Sequence, residues 1–118
     1  MILVVDDDKA QRELYIELLA GLGHEVVEAR DGIEAAKALE EQRPAAILLD
    51  LSMPRGNGYD FLTQLRAAPE NASIRVIVIS GTGTAQWSLN AGADAFLMKP
   101  VGRSELTAAL RRVGLAAV

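Results

Sequence analysis

The sequence predicts an α/β domain built on a doubly wound, five-stranded parallel sheet. Three observations predict it. Short apolar runs rich in β-branched residues occur at residues 2–5, 26–27 with their flanks, 45–49, 74–79 and 95–98. Each is bounded by charge, Gly or Pro, as strands buried on both faces of a parallel sheet are. Helical periodicity fills the intervals, and strict alternation of strand and helix implies right-handed crossovers.

The first run, ILVV, ends at Asp6. In the helix that follows, Leu14, Leu18 and Leu22 recur at i+4 as an apolar stripe, and Gly21 and Gly23 supply its stop. Asp31 with Glu34 makes a start of the capping-box kind for a second helix through Glu41. Pro44 resets the chain before the third strand. Phe61, Leu62 and Leu65 mark a third helix that ends before Pro69. A fourth, around residues 85–90, is short and weakly patterned. Leu106, Leu110 and Val113 place a fifth on one apolar face.

A chain of 118 residues suits one domain, 1–118, and half of it is apolar, enough for one continuous core. Lys and Arg number 12 against 16 Asp and Glu, a net charge of −4. Nucleic-acid affinity comes largely from clustered basic residues, so direct binding to DNA is not expected. The absence of cysteine excludes disulfides, thiolate metal sites and thiol catalysis. The longest apolar runs are far too short to span a bilayer, and acids arrive at Asp6 where a signal peptide needs apolar residues. A soluble, cytoplasmic protein is the expectation.

In doubly wound sheets ligands bind beyond the carboxyl ends of the strands, near the point where strand order reverses. Those ends are unusually polar here. Strand one runs into Asp6-Asp7-Asp8, strand three ends in Asp50, strand four in Ser80, and strand five in Lys99-Pro100. Carboxylates gathered within a few ångströms repel, and a proton or a cation relieves them. An all-oxygen set favours a hard ion such as Mg2+. Aspartate is a competent nucleophile that forms acyl phosphates. Lys99 and Ser80 offer a positive charge and a hydroxyl to phosphoryl oxygens, and phosphoryl transfer asks the protein mainly for positioning and charge neutralisation.

The blocks ILVVDDD, ILLDLSMPRGNGYDFL, VIVISG and AGADAFLMKP follow one another over nearly the whole chain. They resemble the signature blocks of the response-regulator receiver domain of two-component signal transduction. The resemblance implies a flavodoxin-like (βα)5 fold with strand order 2-1-3-4-5. It implies that Asp50 is the phosphorylated nucleophile, Asp7 a direct Mg2+ ligand, Asp6 a ligand acting through water, and the Ser52 carbonyl a third protein ligand. Lys99 is implied to contact the phosphoryl group, with a cis peptide bond to Pro100. Ser80 is implied as the switch hydroxyl and Phe96 as the switch aromatic, with Ser52 and Thr82 tuning hydrolysis. A histidine kinase or histidine phosphotransfer protein is the implied donor, and an effector protein or domain the implied target. The domain then catalyses its own phosphorylation and dephosphorylation instead of turning over a separate substrate. The stretch from Ser80 to Lys99 is about three residues shorter than in most members, close to one helical turn. Asp8 stands outside the acid pair and starts the first helix.

Each feature alone has a plainer reading. Acid triplets usually sit in solvated loops, Asp50 could be a turn residue before Pro54, and Lys99-Pro100 alone says little. Their joint placement at four strand ends is what carries the functional reading. His24, between Gly23 and Glu25, is expected to be exposed and idle. Trp87 is expected in packing or on a partner surface. Gly21-Leu22-Gly23 follows a helix and lacks a third glycine, so helix termination is preferred to a dinucleotide turn. The alternative from the enzyme class is a haloacid-dehalogenase-like phosphohydrolase, which also places Asp-x-Asp after its first strand. Against it, Ala10 stands where Thr or Val is usual, no acidic pair follows Lys99, and Asp50 goes unexplained. A receiver-like interaction module that is never phosphorylated is a third reading, and the intact residue set argues against it.

Overall fold

Successive residues of a strand face opposite ways, so each apolar run has two faces to bury. The computed structural model, which describes residues 1–51, 57–81 and 85–115, shows both faces covered by helices. The elements are β1 (Ile2–Val5), α1 (Lys9–Gly21), β2 (Val26–Ala29), α2 (Gly32–Glu41), β3 (Ala46–Asp50), α3 (Asn57–Ala67), β4 (Arg75–Ser80), α4 (Ala85–Asn90), β5 (Ala95–Met98) and α5 (Arg103–Arg112). A short 3-10 turn, Pro69–Asn71, precedes β4 and has no counterpart in the sequence expectation. All strand pairs are parallel and the order is β2-β1-β3-β4-β5, as anticipated. The order reverses between β1 and β3, which places the crevice of the fold at Asp6 and Asp50.

One face of the sheet presents Ile2, Val4, Leu48, Ile77 and Ile79 to α1 and α5, through Leu19, Leu106 and Leu110. The other presents Leu3, Val5, Leu49, Val76 and Val78 to α2 and α3, through Ala35, Phe61, Leu62 and Leu65. Burying one such side chain contributes roughly 1.5–3 kcal/mol, so these two layers hold the strand ends in place. β3 and β4 begin one residue later than expected and run through Asp50 and Ser80, which are therefore the last residues of hydrogen-bonded strands.

Helix starts follow the sequence signals. Asp8 caps α1, its Oδ1 accepting from the Gln11 amide at 3.0 Å. Asp31 caps α2, accepting from the Glu34 amide at 2.8 Å. The return arm of the expected box differs: Glu34 accepts from the Arg30 amide at 2.7 Å and pairs with the Arg30 guanidinium. The α1 stripe is a correction. Leu14 is 48% exposed, and the buried residues are Arg12, Tyr15 and Leu19, with Leu22 at the end of the helix. Leucines occur on more than one side of this helix, so their i+4 recurrence did not single out the face that meets the sheet. His24 is another correction, since it is half-buried, with a shielded Nε2 that has no hydrogen-bond partner among the described residues.

Candidate functional site

The strand ends converge as the alternation requires. Asp6 follows β1 directly; its amide donates to the Ala29 carbonyl at 3.1 Å, and its side chain is fully buried. Asp50, the last residue of β3, is 2% exposed. Ser80 closes β4 and is also buried. Lys99 follows β5, its amide donating to the Ser80 carbonyl at 2.9 Å. That anchor aims its side chain across β4, and the ammonium Nζ donates to Asp50 Oδ2 at 2.9 Å. The Lys99–Pro100 peptide bond is cis. Asp7 is exposed at the rim, while Asp8 is turned away into the α1 cap.

The electrostatics are those of one acid too many. Burial, more than any other cause, pushes the Asp6 carboxyl up to about 7, and the charge of Asp50 and a hydrogen bond shared with it push the same way. The Asp8 amide, which donates to Asp6 Oδ1 at 2.8 Å, and the Lys99 ammonium pull it back down. Asp6 Oδ2 is buried and receives no donor among the described residues. A proton would satisfy it, and so would a cation. Two buried carboxylates, one of them with an orphaned oxygen, and an exposed third acid at the rim form the oxygen-only donor set that suits Mg2+. Among the described residues, no cluster of three or more His, Cys, Asp or Glu side chains is already arranged as a metal cage. Water and phosphoryl oxygens ordinarily complete such a shell.

Three neighbours escaped the sequence reading. Tyr15 is buried beside the acids; burial first, then the charges of Asp50, Asp6 and Asp8, push its hydroxyl up to about 12, so it stays protonated. Arg12 is a buried cation behind Asp6. Gly58, at the start of α3, is tightly fitted, since a Cβ there would lie 3.0 Å from the Asp50 carbonyl oxygen and push on it. Helical spacing from Leu19 and Leu22 could have flagged Arg12 and Tyr15; nothing local flags Gly58. A cavity of about 440 Å³ opens beside Lys99, lined by Gln11, Leu14, Tyr15, Gly81, Lys99, Pro100 and Val101. A hollow of about 470 Å³ between α2 and α3 includes none of the strand-end residues. Phe96 is half-buried against the layer that holds α2 and α3. Ser52, Thr82 and the Trp87 side chain lie outside the described residues.

Comparison with known proteins agrees with this geometry. The family model for the response regulator receiver domain matches residues 2–111. The response regulator MprA of Mycobacterium sp. (strain KMS) is 40% identical over 111 residues, covering 93% of this chain and 48% of that protein. The chain thus spans about half the length of the curated relatives it matches. Among solved structures, the chemotaxis response regulator CheY4 of Vibrio cholerae superposes with a TM-score of 0.86 at 29% identity, covering 95% of this chain and 96% of that one. The receiver domain of the sensor histidine kinase PA1611 from Pseudomonas aeruginosa PAO1 gives 0.83 at 32% identity, covering 96% of each chain, and has a magnesium ion coordinated in its active-site cleft. Strand order, strand-end chemistry and family match therefore agree: this chain belongs to the response regulator receiver domain family of two-component signalling.

Proposed function

We propose that the chain accepts a phosphoryl group on Asp50 from a histidine kinase or a histidine phosphotransfer protein and passes the signal to an effector protein or domain. The observation that carries this is the buried Asp50 carboxylate held at 2.9 Å by Lys99 beside the fully buried Asp6. An Asp50 oxygen attacks phosphorus in line, the bond to the donor atom breaks, and the donor leaves with the electron pair. Lys99 moves its ammonium from Asp50 Oδ2 to a phosphoryl oxygen, and the Ser80 hydroxyl donates to another. Mg2+ supplies charge neutralisation between the acids and the phosphoryl oxygens when bound. Asp7 and Asp50 would hold it directly, Asp6 through water, with the Ser52 carbonyl as a further ligand and Ser52 and Thr82 setting access for hydrolytic water.

Recruitment of Ser80 and Lys99 pulls on the segments after β4 and β5. Phe96 then repacks, and the surface near α4 and α5 shifts between two pre-existing states. On this reading the chain is a self-modifying switch that works in the cytoplasm, within a unit proposed to fill 1–118. With MgCl2 and a small acyl-phosphate donor, mass spectrometry should find one added phosphoryl group on the wild type and none on Asp50→Asn. Equal modification of both would remove Asp50 from the role.

A further inference from the structure

Arg12 is the one arginine buried in the core among the described residues, and the phosphoryl-transfer reading gives it no task. It occupies the α1 face that packs on the sheet beside Tyr15 and Leu19, where an apolar side chain would avoid the cost of desolvating a charge. Its fork is engaged in two directions. Nε donates to Glu28 Oε1 on β2 at 2.8 Å, and Nη1 donates to the backbone carbonyl of Asp6 at 2.8 Å.

That carbonyl stands where β1 leaves the sheet. The Asp6 amide is still bonded to the Ala29 carbonyl of β2, so Arg12 holds the next polar group along the chain. The peptide unit is planar, so fixing the Asp6 oxygen fixes the plane from which the Cα of Asp7 departs. The Asp8 amide meanwhile locks the Asp6 carboxylate from the other side at 2.8 Å. We propose that the Arg12–Glu28 pair is a positioning clamp for the Asp6–Asp7 peptide, pre-setting both acids for a divalent cation. This deepens the reading above and rests on it.

The sign of the effect separates geometry from charge. A guanidinium near a cation site repels the cation, so a purely electrostatic Arg12 would weaken Mg2+ binding and its removal would tighten it. A clamp does the reverse. A merely structural Arg12 would change stability and leave the affinity of the folded protein alone. Lysine cannot reproduce the fork, because its single ammonium is a point donor on a flexible stem.

The test is calorimetric titration of the unphosphorylated chain with MgCl2, alongside urea denaturation without metal. Arg12→Met should raise the Mg2+ Kd about tenfold or more, in the range typical of residues that orient metal ligands. Arg12→Lys should recover part of the loss, and Glu28→Gln should weaken binding less than Arg12→Met. In an Asp7→Asn background, where one of the two oriented carboxylates is gone, Arg12→Met should have a smaller further effect on Kd than in the wild type. An unchanged or tighter Kd in folded Arg12→Met overturns the clamp. Should that variant fail to fold, Arg12→Lys and Glu28→Gln decide, and wild-type affinity in both overturns it equally. A wild type that binds no Mg2+ would instead overturn the metal part of the proposed function, a result distinct from a binding wild type with indifferent variants.

Discussion

Asp6 and Asp50 meet where the sheet reverses its strand order, both buried, and Lys99 brings one positive charge to the pair. The proton that Asp6 retains when folded has a consequence for stability. Its carboxyl moves from 3.8 to about 7, so between those values the folded chain binds a proton that the unfolded chain has released. This contribution is complete below about pH 4 and is lost as pH rises through about 7, at a slope of up to roughly 1.4 kcal/mol per pH unit. Urea denaturation without metal should therefore show Asp6→Asn gaining on the wild type from pH 5 to pH 8. Parallel profiles would contradict the assignment. Lys99→Met leaves the Asp50 carboxylate without its ammonium. It should destabilise the metal-free chain by about 3 kcal/mol at pH 8, the order expected when one partner of a buried pair is removed. The cost should shrink at pH 5, where the acid pair takes up a proton. At this scale the sequence was informative about identity: Asp6, Asp50, Ser80 and Lys99 were all recognisable from their places at strand ends. Arg12 was not, because an arginine among helix residues reads as solvated until its neighbours are known.

At the scale of elements, the AGAD block ties α4, β5 and α3 together. Arg66 of α3 donates to the Gly92 carbonyl at 2.8 Å, to the Asn71 carbonyl at 3.0 Å and to Asp94 at 2.9 Å. Asp94 also accepts from the Val76 amide at 2.8 Å, so this staple joins the entry to β4 with the entry to β5. Gly92 sits at φ +111°, and a Cβ there would lie 2.6 Å from Arg66 Cγ. Gly92→Ala should lower stability by about 1–3 kcal/mol in thermal or urea melts, combining backbone strain with displacement of the arginine. Gly114→Ala is the control, since that site has φ +91° but open space around it. A smaller loss at Gly92 than at Gly114 would show that the Arg66 contact costs nothing to displace. The α2 start at Asp31 and the six-residue α4 were legible beforehand, since a cap residue and a short interval between strands are local features. The face of α1 was not.

For the whole molecule, a ligand that binds only the folded state raises stability by mass action. If Mg2+ draws on acids from β1 and β3 together, unfolding must release it. Stability should rise by about 2.7 kcal/mol when free Mg2+ reaches a hundred times its Kd, and a chelator should reverse the gain. Melting temperature followed against MgCl2 checks this, and a flat line for the wild type would contradict a shared site. Binding should also tighten from pH 6 to pH 8, because the ion displaces the proton held by Asp6.

The order of strands and helices, the short fourth helix and the polar strand ends were determined by the sequence alone. Each follows from local features of the chain: continuous apolar runs closed by charge, Gly or Pro, helical spacing between them, and the short interval between Ser80 and Lys99. The tertiary structure alone decided which α1 face meets the sheet, that Lys99 spans β4 to reach Asp50, and that Arg12 grips Asp6 and Glu28 at once. Those outcomes depend on which distant residues come to share one volume, and that is settled only when the two layers close over the sheet.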